Sequence, residues 1–197
     1  MMTIIALLAS YLLGSIPNGL WLCRALWHVD LREHGSHNIG ATNAWRTLGK
    51  GPGFLVFFLD MLKGALAVLL GQWLAGTPLV LILCGIFAIL GHSLSLFLRF
   101  RGGKGVATGL GVILMLMPGV TCIVFLVWLL IVLATRYVSL GSIVAAALVP
   151  VLAFFFDYSG LYVAFGALAA ALIIVRHRSN IRRLLDGTEN RISAGHL

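Results

Sequence analysis

Long apolar runs dominate this sequence and decide what kind of fold it can adopt. A helix needs about 20 apolar residues to cross the hydrocarbon core of a bilayer. Six runs approach or exceed that length, at residues 3–23, 52–75, 78–98, 106–134, 137–156 and 160–175. Charged residues make up only 10% of the chain, against about 25% in a soluble domain. A soluble globular protein and a disordered chain are both excluded, and the sequence predicts an all-α, polytopic membrane protein.

The fourth run, 106–134, is too long for one untilted span. Met117-Pro118-Gly119 lies inside it, and proline next to glycine predicts a break there. Splitting the run gives seven segments, of which the shortest is 106–116. This segment would cover about 17 Å of a hydrocarbon core about 30 Å thick. We therefore expect it to begin below the interface or to lie where the bilayer is thinned.

The basic residues decide between six and seven segments. Thirteen of the 14 lysines and arginines fall in four connections: 24–50, 99–104, residue 136, and the region after 175. With seven segments all four connections lie on one side of the membrane, whereas six would place Arg136 and the C-terminal cluster on opposite sides. The positive-inside rule therefore favours seven transmembrane helices, with the N-terminus outside and the C-terminus cytoplasmic. We expect one domain, residues 1–197.

The first of three polar segments on the basic side is residues 35–46. Thr42 or Asn43 is predicted to cap a short helix that ends at Gly49. Thr42 and Arg46 would be neighbours one turn apart on that helix. A helix start beside an arginine suits an anion, although a polar loop with a surface arginine is an equally good interpretation.

The second polar segment, residues 99–108, leads directly into an apolar helix. Gly102, Gly103 and Gly105 would let backbone N–H groups approach an anion closely, and Lys104 adds a point charge. It is not a nucleotide P-loop, because Leu98 and Gly105 stand where that motif needs glycine and a hydroxyl residue. The alternative is a basic turn that anchors the membrane face.

The third polar segment is residues 176–183. His177 and Asn180 would share a helix face and can both bond a substrate oxygen. The alternative is a patch that binds anionic lipid. We expect Arg182 and Arg183, with Lys50, to be a solvated or lipid-facing rim. Within the apolar runs, Asp60 and Lys63 are predicted to form a structural ion pair. His92 is predicted to be a hydrogen-bonded interior residue in mid-span. No metal site, cofactor or nucleic-acid partner is expected.

Glycine-rich basic segments with few carboxylates suit a substrate that carries phosphate, and apolar helices could hold an acyl chain. The three segments resemble the motifs of the bacterial acyl-phosphate-dependent glycerol-3-phosphate acyltransferases, the PlsY family, over essentially the whole chain. The matching residues are Gly35-Ser36, Asn38, Gly40-Ala41-Thr42-Asn43, Phe97, Phe100, Gly102-Gly103-Lys104-Gly105-Val106-Ala107-Thr108, His177-Arg178, Asn180-Ile181 and Asp186-Gly187-Thr188-Glu189-Asn190.

The resemblance implies a seven-helix fold in the bacterial inner membrane, with the active site facing the cytoplasm. It implies acyl transfer from acyl-phosphate to glycerol 3-phosphate, giving lysophosphatidic acid and phosphate, the first step of phospholipid synthesis. The expected catalytic residues are Ser36, Arg46, Lys104, His177 and Asn180. The expected substrate-binding residues are Asn38, Gly40, Thr42, Asn43, Gly102, Gly103 and Gly105. Partners would be the two substrates and membrane lipids.

Two positions depart from the family pattern. His37 stands where the resemblance leads us to expect a small residue, commonly glycine; if that position needs a positive φ, histidine is tolerated but not freely. Ser93-Leu94-Ser95-Leu96 lacks the expected aromatic residue and proline before Phe97.

The sequence leaves two candidates for the base that takes the hydroxyl proton: His177 and a phosphate oxygen of the substrate. A transporter of an organic phosphate and a lipid-binding structural subunit are the rival interpretations.

Overall fold

The computed structural model describes residues 1–192, so the last five residues of the predicted domain 1–197 lie outside the described part. Across this range the regular structure is helical. The α-helices, numbered in chain order, are α1 (Met2–Ser15), α2 (Asn18–Trp27), α3 (Ala41–Leu48), α4 (Lys50–Leu74), α5 (Pro78–Ser93), α6 (Val106–Leu116), α7 (Pro118–Thr135), α8 (Val138–Phe155), α9 (Gly160–Arg176) and α10 (Arg178–Leu185). A short 3-10 turn, Leu96–Leu98, follows α5.

Prolines and glycines set several of these boundaries. Pro118 is in the first turn of α7, so the predicted break at Met117-Pro118-Gly119 is confirmed. The first run, 3–23, is also broken, because Pro17 separates α1 from α2 and the pair is bent by 40°. The sequence alone predicts one continuous span over that run.

Four helical segments in residues 1–192 are long and apolar enough to cross a membrane: α4, α7, α8, and α5 together with the turn that follows it. The bent pairs α1–α2 and α9–α10 raise the number to six if each counts as one span. The short segment 106–116 is an apolar helix of 11 residues, with the boundaries that the sequence predicts. Seven spans therefore stay a prediction.

The chain divides into two compact units, Met1–Val112 and Ile113–Ile192. In the first unit α1 packs on α4 and α5, and glycines allow close approach between backbones. A β-carbon at Gly14 would lie 2.2 Å from the carbonyl oxygen of Ala88, and one at Gly64 would lie 2.1 Å from that of Thr108. In the second unit α8 packs on both α7 and α9, and α10 contacts α8 and α9.

Candidate active site

The loop that carries Ser36 is organised by one buried side chain, Asn43. Asn43 is 1% exposed. The two N–H groups of its Nδ2 are shared among three carbonyl oxygens, those of Leu31 at 2.9 Å, His34 at 3.0 Å and Asn38 at 2.8 Å. Its Oδ1 accepts the backbone N–H of Ser36 at 2.9 Å. The Asn43 amide therefore binds both sides of the loop and fixes the backbone of Ser36.

This arrangement corrects the predicted helix cap. The short helix is α3, which begins at Ala41 with Gly40 as its cap residue and has no side-chain cap bond. Thr42 and Asn43 lie inside its first turn, so neither caps it. Gly49 ends the helix, as predicted, and Thr42 and Arg46 both lie on α3, one turn apart.

The backbone of this loop needs two left-handed residues in close succession. Gly35 has φ of 58°, and a β-carbon there would lie 2.3 Å from Oδ1 of Asn43. His37 has φ of 56°, so the position does require the positive φ that would explain a glycine. The His37 Nδ1–H donates to the carbonyl oxygen of Arg32 at 2.9 Å, and this bond offsets part of the backbone cost. Next to it, the Oδ1 of Asn38 accepts the Gly40 N–H at 2.9 Å.

The second polar segment is a loop between α5 and α6. The N–H of Gly102 donates to the carbonyl oxygen of Ser93 at 3.1 Å, and that of Gly103 donates to the carbonyl oxygen of His92 at 3.0 Å. Gly103 and Gly105 are buried, Gly105 has φ of 79°, and α6 begins one residue later. This loop, residues 102–105, is called the glycine loop below. It places the half-buried Lys104 just before the N-terminus of α6.

The third polar segment lies in the second unit, where the chain bends by 63° between α9 and α10. His177 is the residue at the bend and Asn180 lies in the first turn of α10; both are buried. The His177 Nδ1–H donates to the carbonyl oxygen of Ile173 at 2.8 Å, so the lone pair of the neutral ring is on Nε2. The Asn180 Nδ2 donates to Oε1 of Glu189 at 2.7 Å.

Glu189 is the residue that organises this third segment. Its Oε1 also accepts from the hydroxyl of Ser139 at 2.8 Å, and its Oε2 accepts from Nε of Arg183 at 2.7 Å. Burial disfavours the charged carboxylate, but these hydrogen bonds outweigh burial and lower the pKa of Glu189. Arg183 is therefore a structural ion-pair partner and not the solvated rim residue that the sequence predicts.

A second carboxylate neutralises two arginines, one in the last turn of α2 and one in the loop that follows it. Asp30 is 8% exposed and pairs with both Arg24 and Arg32; the Arg32 Nη2 lies 2.8 Å from its Oδ2. The hydrogen bond from Arg32 holds the pKa of Asp30 well below its usual range. Within residues 1–192, no three His, Cys, Asp or Glu side chains are grouped so as to hold a metal ion.

The structure thus places the predicted residues in two groups. The first group lies in the first unit, on the first loop with α3 and on the glycine loop. It consists of Ser36, Asn38, Gly40, Thr42, Asn43 and Arg46, together with Gly102, Gly103, Lys104 and Gly105. His177 and Asn180 lie at the α9–α10 bend of the second unit. Sequence reasoning missed Ser139 and gave Glu189 no role. Their contact joins residues 50 positions apart, and no local pattern signals it.

Known proteins match the chain along nearly all of its length. The family model described as glycerol-3-phosphate acyltransferase matches residues 4–187. A glycerol-3-phosphate acyltransferase of Moorella thermoacetica is 51% identical over 191 residues, covering 97% of this chain and 98% of the relative. One from Syntrophomonas wolfei is 49% identical and covers 95% of each chain.

Solved structures give the same match. The crystal structure of PlsY, an integral membrane glycerol 3-phosphate acyltransferase, in its glycerol 3-phosphate form is 45% identical, with a TM-score of 0.93 and coverage of 98% of this chain and 96% of that one. Its lysophosphatidic acid form gives a TM-score of 0.89 at 43% identity, covering 97% and 95%. This chain therefore belongs to the glycerol-3-phosphate acyltransferase family.

Proposed function

We propose that this protein transfers an acyl group from acyl-phosphate to the 1-hydroxyl of sn-glycerol 3-phosphate. The products are 1-acyl-glycerol 3-phosphate and inorganic phosphate. The proposal rests on the glycine loop, in which the buried Gly103 and Gly105 flank Lys104 just before the start of α6. A phosphomonoester carries about −1.5 to −2 charge at pH 7 and is a good match for such a loop.

The chemical task is mainly to bring two anions together. Acyl-phosphate is already an activated mixed anhydride, so the protein must offset phosphate–phosphate repulsion and orient the hydroxyl on the carbonyl carbon. Orientation alone can supply about 7–11 kcal/mol. Arg46 and Lys104 would stabilise the developing negative charge. The N–H groups of Gly102 and Gly103 are bonded within the protein, so the glycine loop would contribute by placing Lys104. Ser36, Asn38, Gly40 and Thr42 would bind substrate from the first loop, and His177 and Asn180 from the α9–α10 bend.

In the transfer step, the hydroxyl oxygen attacks the acyl carbon and the bond from that carbon to the phosphate oxygen breaks. The hydroxyl proton goes to a phosphate oxygen of the bound substrate. His177 is the competing base, because its Nε2 carries the lone pair when the ring is neutral. If the substrate is the base, truncating His177 weakens binding more than it changes the pH dependence of turnover. Loss of turnover at saturating substrate with normal binding would instead make His177 the base.

We further propose seven membrane segments with the N-terminus outside and the basic connections cytoplasmic, in the bacterial inner membrane. Support comes from the charge distribution and from α6, an apolar helix of 11 residues that would form the short fourth segment. Both polar loops and the α9–α10 bend then face the cytoplasm, where both substrates are available. This arrangement does not favour a transporter, since its charges sit at helix ends, apart from the Asp60–Lys63 pair within α4, and do not follow a path through the membrane.

The direct test supplies palmitoyl-phosphate and glycerol 3-phosphate, without acyl-CoA, to the purified protein in detergent or lipid mesophase. We expect equal amounts of phosphate and lysophosphatidic acid, and loss of both products in Lys104→Ala and Ser36→Ala. Formation of no lysophosphatidic acid by a folded sample would overturn the proposal. Uptake of glycerol 3-phosphate into proteoliposomes would then test the transporter.

A further inference from the structure

A buried polar cluster lies behind the glycine loop in the first unit. Asp60 and Lys63 on α4 are 2% and 4% exposed, and Lys63 Nζ lies 2.9 Å from Asp60 Oδ1. His92, in the last turn of α5 and not in mid-span as the sequence suggests, is 5% exposed. Its Nδ1 lies 3.8 Å from the same carboxylate oxygen. The predicted ion pair is confirmed, but it belongs to a larger cluster.

The cluster is also bonded to the break between α1 and α2. Lys63 Nζ donates to the carbonyl oxygen of Ile16 at 2.8 Å, and Asn18 Nδ2 donates to Asp60 Oδ1 at 3.1 Å. Charged groups within apolar spans are costly to bury, even when paired. A purely structural helix contact could be made by small apolar residues, as at Gly64, so the cost of these charges points to a further role.

His92 connects this cluster to the glycine loop through both its backbone and its ring. Its carbonyl oxygen accepts the N–H of Gly103 at 3.0 Å. A β-carbon at Gly103 would lie 2.2 Å from Nε2 of His92, 3.0 Å from Cε1 and 3.1 Å from Cδ2. The edge of the imidazole therefore lies directly against the α-carbon of Gly103. A shift of the ring would move the backbone that carries Lys104.

We infer that His92 is a positioning residue for the glycine loop, held in place by the buried Asp60–Lys63 pair. The inference rests on the proposed function, because the loop is taken to bind substrate phosphate. His92 does not itself touch substrate; it sets the position of Gly103 and thereby of Lys104. Its removal should weaken phosphate binding without unfolding the protein.

The first experiment measures KM and kcat for both phosphate substrates in His92→Ala and His92→Gln. We expect His92→Ala to raise KM for at least one substrate by about tenfold or more, with a smaller effect on kcat. His92→Gln, which can place an amide nitrogen near the Nε2 position, should recover part of the loss. The control is Ser10→Ala, which removes a buried hydroxyl that donates to the carbonyl oxygen of Ala67 on α4. It should leave both constants near the wild-type values.

A size exchange tests the contact itself. Gly103→Ala alone should lower kcat/KM by about 100-fold, because its β-carbon meets the imidazole and displaces the loop. In the double variant His92→Ala/Gly103→Ala the three closest atoms are gone, so kcat/KM should rise above that of Gly103→Ala. The role of the ion pair is tested with Asp60→Asn/Lys63→Met, which removes both charges together and avoids leaving one unpaired; KM should rise as in His92→Ala.

The outcomes separate the two proposals. If the wild-type protein makes no lysophosphatidic acid, the proposed function fails. If the wild type is active, the inference alone fails when folded His92→Ala keeps wild-type KM for both substrates. It also fails when the double variant is no better than Gly103→Ala. Thermal unfolding in detergent establishes that each variant is folded.

Discussion

At the residue scale, the side chain of Asn43 has a larger structural role than the sequence motif suggests. Asn43→Asp keeps the size of the side chain and the acceptor for the Ser36 N–H. It replaces the amide donor with an oxygen that faces the carbonyl oxygens of Leu31, His34 and Asn38. Losing those bonds in a buried site should lower the free energy of unfolding by about 2–4 kcal/mol. Turnover should fall at least about tenfold because Ser36 is displaced.

Thermal unfolding in detergent and the acyl-transfer assay measure the two effects of Asn43→Asp. The control is Thr121→Val, which removes a buried hydroxyl that donates to the Met117 carbonyl oxygen at 3.0 Å within the second unit. It should change the free energy of unfolding by no more than about 1 kcal/mol and leave turnover unchanged. Wild-type turnover and stability in Asn43→Asp would show that this amide does not hold the loop.

At the element scale, the contact between α8 and α10 depends on a charged group and therefore on pH. Glu189 accepts bonds from Ser139 on α8 and from Asn180 and Arg183 on α10. Because its pKa is lowered in the folded protein from the ordinary value of 4.5, its stabilisation is present above that pH. The stabilisation is lost as pH falls from there through the folded pKa. Thermal unfolding should therefore occur at lower temperature in this acid range.

Glu189→Gln tests this contact. At neutral pH the variant should be less stable by about 2 kcal/mol, because a charge-assisted bond to Arg183 is lost. Its unfolding temperature should then fall less steeply than that of the wild type below pH 4.5. The unfolding temperature of the variant should still fall somewhat as the pH is lowered, since the pKa of Asp30 is also lowered. Asp186→Asn, at an exposed carboxylate in the same segment, should leave the curve unchanged; a Glu189→Gln curve parallel to the wild type would contradict the prediction.

At the scale of the whole molecule, sequence predicts what depends on local pattern and misses what depends on contacts between distant residues. The break at Met117-Pro118-Gly119 was predictable because proline removes a donor and clashes in a helix interior. The role of Asn43 was not, because an amide that bonds loop carbonyls has the same local sequence as one that caps a helix. The link from Asp60 to His92 joins residues 32 positions apart, and the pairing of Ser139 with Glu189 joins residues 50 apart.

The proposed topology makes a prediction that distinguishes seven segments from six. In a variant whose native cysteines Cys23, Cys84 and Cys122 are replaced, single cysteines are placed at the exposed positions Glu33 and Asp157. With seven segments Asp157→Cys lies outside, and a membrane-impermeant maleimide should label it on intact cells. With six segments the connection after α8 is cytoplasmic, and the same cysteine is protected.

Glu33→Cys provides the matched control for labelling, because both arrangements place that loop in the cytoplasm. It should react only after the cells are opened, and each variant must retain acyl transfer to show that it is folded. Thr77→Cys, in the uncharged connection between α4 and α5, should react from outside in either arrangement and serves as the positive control. If Thr77→Cys is labelled on intact cells but Asp157→Cys is not, 106–116 is no separate span. The basic connections then do not all share one side, and the charge argument for a cytoplasmic site at the α9–α10 bend fails.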